Sequence, residues 1–218
     1  MLEYNMSKRV AVLDYGIGNV RSQLNALKHL GVEAELTADR TTILNADAVI
    51  LPGVGAFKHG MENLNTHGLI PIINDFIATG RPFLGICLGM QLLFEESDEF
   101  GYSQGLGLVK GSIKKLINED IKGLKLPHIG WTPINPTNNS NWTGTLLNEI
   151  PIGTPYYFVH SYAAIPSDIN DSLATAQFGA NSFCCAVEKN NIYGTQFHPE
   201  KSGEMGLKIL KNFIDKMK

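Results

Sequence analysis

What this sequence lacks narrows it first. It has only three cysteines in 218 residues. The number is odd and the spacing follows no framework, which excludes a small disulfide-stapled fold and fits free thiols in a reducing compartment. Basic charge is not in surplus: 18 Lys and Arg stand against 21 Asp and Glu, a formal net charge of -3. Nucleic-acid binders carry an excess or a stripe of positive charge, so no nucleic-acid partner is expected. No apolar run approaches the ~20 residues that span a bilayer, and the opening MLEYNMSKRV holds no apolar core of signal-peptide length. A cytoplasmic protein without a membrane partner is expected, and the sequon Asn141-Trp142-Thr143 then carries no meaning. The six histidines are scattered and none forms H-x-x-x-H or a Cys/His ligand pattern, so no metal site is expected. Internal repeats and low-complexity linkers are missing as well.

What is present is an ordinary globular composition, 44% hydrophobic and 18% charged, in a chain long enough for one good-sized core. The reading is an N-terminal extension over residues 1–8 and a single domain over 9–218. RVAVLDY reads as a buried strand, VEAELTA, AVILPG and FLGIC as three further strands, and the segments after the first and third and Ile70 to Ala78 as helices. Met90 to Glu96 reads as a helix after the fourth strand. Strands alternating with helices imply right-handed crossovers and a largely parallel sheet. The second half changes character. Leu106 to Ile117 looks like a hairpin, aromatic and Pro-rich pieces follow, and an amphipathic helix closes the chain with Leu207, Leu210, Ile214 and Met217 near one face. The expected fold is α/β: an open, mostly parallel mixed sheet flanked by helices, with antiparallel strands added late. Sites in such sheets form at the carboxyl ends of strands, where Cys87, the Pro52-Gly53 turn and the Gly16-Asn19 turn all fall.

Several short stretches carry chemistry. Gly85-Ile-Cys-Leu-Gly89 has the G-x-nucleophile-x-G form of a sharp strand-to-helix elbow. A helix N-terminus behind the thiol favours the thiolate, although the pentapeptide alone equally describes a core cysteine beside turn glycines. In His198-Pro199-Glu200, residues two apart in an extended stretch share a side, so the carboxylate can orient the imidazole as in a Cys-His-Glu triad. Taken alone, a surface turn explains these three residues better. Pro52-Gly53-Val54-Gly55 could present backbone N–H groups to a developing oxyanion, or be a plain strand-to-helix turn. Gly16-Ile17-Gly18-Asn19 opens like a dinucleotide fingerprint, but Arg21 stands where the third glycine belongs, which speaks against that cofactor. Cys184 and Cys185 lie in an apolar strand with nothing to activate them, and one of the two is expected in the core. KLPHIGWTPI and YFVHSYA combine histidines with aromatics, either as partly buried strand residues or as a substrate or partner rim.

Together, DYGIGNVRS, LPGVGAF, GICLGMQLLFE, KLPHIGW, YFVHSYA and GTQFHPEKSG resemble, in content and order over nearly the whole chain, the class I (triad) glutamine amidotransferases. Met90, with PHIGW and FVHSYA, points within that family to the glutaminase subunits that serve a cyclase making imidazole glycerol phosphate in histidine biosynthesis. The resemblance implies Cys87 as nucleophile, His198 as general base and acid, and Glu200 as the orienting carboxylate. It implies an oxyanion hole from Leu88 and from Val54 or Gly55, on a strand that rearranges before it donates. Gly55, Gln91, Glu99, Ser161 and Tyr162 would grip L-glutamine, with Glu99 pairing the substrate ammonium. No cofactor is implied. Ammonia would pass in trans to a (β/α)8-barrel cyclase, as a heterodimer, across a surface including Asn19, Arg21, His128, Trp131 and Lys201. Thr132 departs from the Asn usual at its place. The alternative is a paralogous glutaminase feeding a surface-sugar amidation partner.

Overall fold

A computed structural model describes residues 8–18, 20–116, 125–139 and 141–217. Five short strands form its parallel part: β1 (Arg9–Leu13), the polar edge strand β2 (Glu33–Thr37), β3 (Ala48–Leu51), β4 (Phe83–Ile86) and, far along the chain, β13 (Ile192–Thr195). They lie in the order β2-β1-β3-β4-β13. All four residues of β3 and of β4 are buried, because helices cover both faces of the sheet and leave no side for water. α1 (Arg21–His29) and α6 (Gly203–Asp215) cover one face, where Leu27, Ile209, Leu210 and Phe213 meet Val10, Val12 and Ile50. The other carries α2 (Arg40–Asn45), α3 (Phe57–Thr66), α4 (Leu69–Ala78) and α5 (Leu88–Leu92), where Ile43, Phe57, Ile73 and Phe76 meet Ala11, Leu13, Val49 and Leu51. Each fully buried aliphatic or phenyl side chain contributes about 2 kcal/mol.

Beyond β13 the sheet turns antiparallel. β12 (Asn181–Lys189) pairs with β13, and from it the sheet forks. One branch continues through β10 (Tyr162–Pro166), β7 (Gly111–Lys115), β5 (Glu96–Ser97) and β6 (Ser103–Gln104). The other runs through β11 (Ser172–Phe178) to β8 (His128–Pro136) and β9 (Pro155–His160). The mixed α/β architecture read from the sequence is the one observed.

Local readings differ in four places. The helix after the fourth strand starts at Leu88 and stops at Leu92, not at 90 and 96, because the chain turns at once to pair Glu96 with β6 and β7. Leu106 to Val109 form no strand of a hairpin; β7 finds its partners in β5 and β10, and Ile117 lies outside the described residues. Cys184 and Cys185 point to opposite faces, and both are core because both faces are covered. Lys8, assigned to the extension, already belongs to the body: its Nζ donates to Ile214 O at 3.1 Å.

Candidate active site

The site begins with a backbone that only some residues tolerate. β4 ends at Ile86, and Cys87 follows at φ 56° and ψ −113° before α5 starts at Leu88. A non-glycine residue at positive φ is strained. The turn holds because its flanking glycines let backbone segments touch. A Cβ at Gly89 would stand 1.9 Å from Leu51 O, and one at Gly85 2.6 Å from Gly89 O. Cys87 N donates to Thr195 O at 2.7 Å, which ties the elbow to β13.

β13 leads into the second candidate side chain. His198 sits just past its end, where Pro199–Lys201 form one 3-10 turn. The sequence reading placed His198 and Glu200 together through an extended chain. They do meet, Nδ1 to Oε1 at 2.8 Å and both buried, but through this tight turn. The backbone at His198 is held from two sides: its N–H donates to Tyr157 O at 3.0 Å, and its carbonyl accepts from Ser202 Oγ at 2.7 Å. Nε2 is buried without a formed hydrogen bond. Burial works against the imidazolium, but the nearby Cys87 sulfur and the hydrogen-bonded Glu200 carboxylate outweigh it and raise the His198 pKa to about 9.

A cavity of about 320 Å³ opens over the thiol, lined by Val54, Gly55, Cys87, Leu88, Gln91, Glu99, Pro127, Val159, His160, Ser161 and Tyr162. It brings together Cys87 and every residue assigned to glutamine binding or the oxyanion hole. Glu99 is fixed where its Oε2 accepts from Phe57 N, the first amide of α3, at 2.7 Å, a favourable place for a carboxylate. The PGVG turn is pinned by Tyr15, whose buried hydroxyl donates to Pro52 O at 2.5 Å. A Cβ on Gly53 would stand 2.6 Å from that hydroxyl and 2.9 Å from Leu88 Cβ, so the glycine lets the turn lie against the elbow. Burial first, and the Cys87 charge second, hold the Tyr15 hydroxyl protonated.

Three neighbours were not singled out from sequence. Tyr15 is one. The second is Gln196, fully buried, whose Nε2 lies 3.8 Å from Cys87 Sγ. The third is His160, whose pKa burial pushes down to about 3. Its Nδ1 donates to Tyr162 O at 2.8 Å, and its Nε2 lies 3.1 Å from His128 Nδ1. This pair corrects the assignment of His128 to a partner surface. His128 is 8% exposed, stacked on Phe158 and bonded to Thr132 Oγ1 at 2.8 Å, because β8 turns it inward. Arg21, Trp131 and Lys201 are exposed, and Asn19 lies outside the described residues. Among those residues no group of His, Cys, Asp and Glu could hold a metal ion, and no helix is long and apolar enough to cross a membrane.

Fold and site together define a triad-type amidotransferase. The family described as glutamine amidotransferase class-I matches residues 11–217. The fold is shared with a solved glutamine amidotransferase (TM-score 0.72, 18% identity, 95% of this chain and 98% of that one). It is shared too with PurLQS from Thermotoga maritima (TM-score 0.71, 22% identity, 98% and 100%). In sequence the chain is 41% identical over 208 residues to imidazole glycerol phosphate synthase subunit HisH 1 of Legionella pneumophila strain Lens, covering 94% of this chain and 98% of that protein. It is 44% identical over 208 residues to subunit HisH of Geobacter sulfurreducens, covering 94% and 97%. The chain belongs to the class I glutamine amidotransferase family and, within it, to the group of these HisH subunits.

Proposed function

We propose that the chain is the glutaminase subunit of an imidazole glycerol phosphate synthase. It hydrolyses L-glutamine to glutamate and ammonia and passes the ammonia to a cyclase in histidine biosynthesis. The single observation that carries the chemistry is that Cys87, on an elbow lining the cavity, lies within interaction range of His198, itself paired with buried Glu200.

In this reading the Cys87 thiolate attacks the side-chain amide carbon of glutamine. The developing oxyanion is met by the N–H of Leu88 at the start of α5 and by a backbone N–H of Val54 or Gly55. His198 gives its proton to the leaving ammonia. It then takes one from the water that cleaves the γ-glutamyl thioester, while Glu200 holds Nδ1 and steadies the charge. Glu99 pairs the substrate ammonium, and Gln91, Ser161, Tyr162 and Gly55 shape the rest of the grip. The Gly55 backbone has φ +100° and open space beside its α-carbon, which leaves room for the adjoining peptide to turn.

The partner is a (β/α)8-barrel cyclase bound in trans as a heterodimer in the cytosol. The proposed contact surface runs from Arg21 on α1, over the 3-10 turn that carries Lys201, to exposed Trp131 beside Tyr157. That turn packs against both α1 and β9, so the triad's own loop reaches the surface where a partner would dock. The test is glutamate release by the chain alone, with the cyclase, and with the cyclase and its ligand. Stimulation that needs both supports the assignment. Basal turnover unaffected by either would reject it and point to a different ammonia acceptor, such as a surface-sugar amidation partner.

A further inference from the structure

Two buried glutamines, Gln91 and Gln196, are joined side chain to side chain beside the thiol, and their orientation follows from hydrogen-bond chemistry alone. Gln91 Nε2 lies 3.0 Å from Tyr162 O and 2.9 Å from Gln196 Oε1. A backbone carbonyl can only accept, so the Gln91 atom facing Tyr162 O must be its NH2. That NH2 also faces Gln196, so the Gln196 atom there must be its oxygen. The other end of the Gln196 amide is then an NH2, and it lies 3.8 Å from Cys87 Sγ. The same carbonyl, Tyr162 O, accepts from His160 Nδ1 at 2.8 Å, so it is held from two sides and cannot swing to release the chain. Gln196 is 0% and Gln91 5% exposed. A wrong orientation would leave two oxygens face to face and a buried amide unpaired, which costs as much as a lost hydrogen bond.

We propose that Gln196 is a positioning residue for the reaction: anchored through Gln91 to the Tyr162 carbonyl, it aims an amide N–H at Cys87 Sγ and holds the sulfur as a thiolate in place for attack. This rests on Cys87 being the nucleophile. A donor aimed at sulfur favours the anion, a much stronger acceptor than the neutral thiol, whose S–H would instead point to Val159 O, 4.0 Å away. It also fixes the side chain that the strained elbow presents. The arrangement gives Gln91 a second duty, since spending both of its N–H groups on Tyr162 O and Gln196 leaves only its oxygen for a ligand.

The experiment is the pH dependence of Cys87 alkylation by iodoacetamide in the full chain, with glutaminase activity read in parallel. Gln196→Leu removes the donor. Gln196→Glu keeps an acceptor for Gln91 but turns a carboxylate oxygen toward the sulfur. The titrating or charged groups facing the thiol are His198, Glu200 behind it, Tyr15, His160 and Glu99, and all are the same in wild type and variants. Both variants are expected to move the alkylation midpoint upward, about one pH unit for Gln196→Leu, or about tenfold slower labelling at neutral pH. Labelling and kcat should return at alkaline pH. An unmoved midpoint in a variant that melts like wild type would overturn the proposal, since a purely structural role lowers stability without shifting the profile. If neither variant folds, NMR of the wild-type chain decides. The Gln196 side-chain amide protons should shift with the thiol titration, and an amide blind to that titration would overturn the inference. Alkylation of Cys87 that leaves glutaminase activity intact would instead sink the choice of nucleophile.

Discussion

At the scale of single residues, the chemistry lies in how Glu200 changes His198. Burial alone would keep the imidazole neutral; the carboxylate and the sulfur reverse this and lift it to about 9. Glu200→Gln should therefore lower the His198 pKa, readable from imidazole NMR shifts, and cut glutaminase activity by on the order of 10³-fold or more, as loss of the orienting carboxylate does in related triads. The same residue makes a stability prediction with a definite sign. A histidine whose folded pKa lies above the unfolded 6.5 adds stability that is fully present below pH 6.5 and lost as pH rises through about 9. Urea midpoints should fall across that window in the wild type and fall less in Glu200→Gln. Cys87, His198 and Glu200 stand out in the sequence because each lies in a short motif with a mechanism. Gln196 and Tyr15 do not. A glutamine in a strand run reads as a solvent-facing residue, and a tyrosine after a strand reads as core. Only the closeness of segments distant in sequence gives either its role.

At the scale of elements, the elbow depends on a glycine that no side chain can replace. Gly89→Ala would drive a Cβ into Leu51 O and should cost about 3 kcal/mol or more. Gly31→Ala has nothing within 4 Å and only its positive φ against it, and should cost about 1–2 kcal/mol. Thermal melts of the two variants measure the difference, and equal losses would mean that the elbow tolerates a looser turn. Strand and helix identities in the first half were readable from apolar runs and glycine stops. The true ends of α5 were not, because Leu93 to Glu96 (LFEE) keep a helix-compatible pattern while their backbone is drawn into pairing with β7 and the loop before it: Leu108 N and Val109 N both donate to Leu93 O. Met90, which served as a subfamily marker, packs with its Cγ 2.7 Å from where a Cβ on Gly194 would sit. It joins α5 to the strand that leads to His198, and it makes no part of the cavity wall.

At the scale of the whole molecule, the sheet assembles the site from both ends of the chain. β4 and β13 are neighbours in register, Ile86 beside Thr195, although about half the sequence separates them. That single parallel pairing puts Cys87 and His198 at neighbouring strand ends. The α/β class followed from the alternation of strands and helices. The fork at β12 did not, since pairings such as Ala176 with Ile134 and Ala164 with Cys184 are long-range choices that alternating patterns leave open. The fork matters to function because one branch ends in β8 and β9, which bring Trp131 and Tyr157 to the surface beside the triad's turn and Val159, His160 and Ser161 to the cavity. A ligand-loaded cyclase docked there should therefore act on Cys87 through elements that touch both surfaces, and Trp131→Ala should weaken stimulation by the cyclase while leaving basal turnover unchanged.

The most direct measurement is glutamate release from L-glutamine, in the presence of cyclase and its ligand, by the wild-type chain and by Cys87→Ala. Turnover by the wild type and none above the uncatalysed rate by Cys87→Ala is the predicted result. Sustained glutamate release by Cys87→Ala would contradict it.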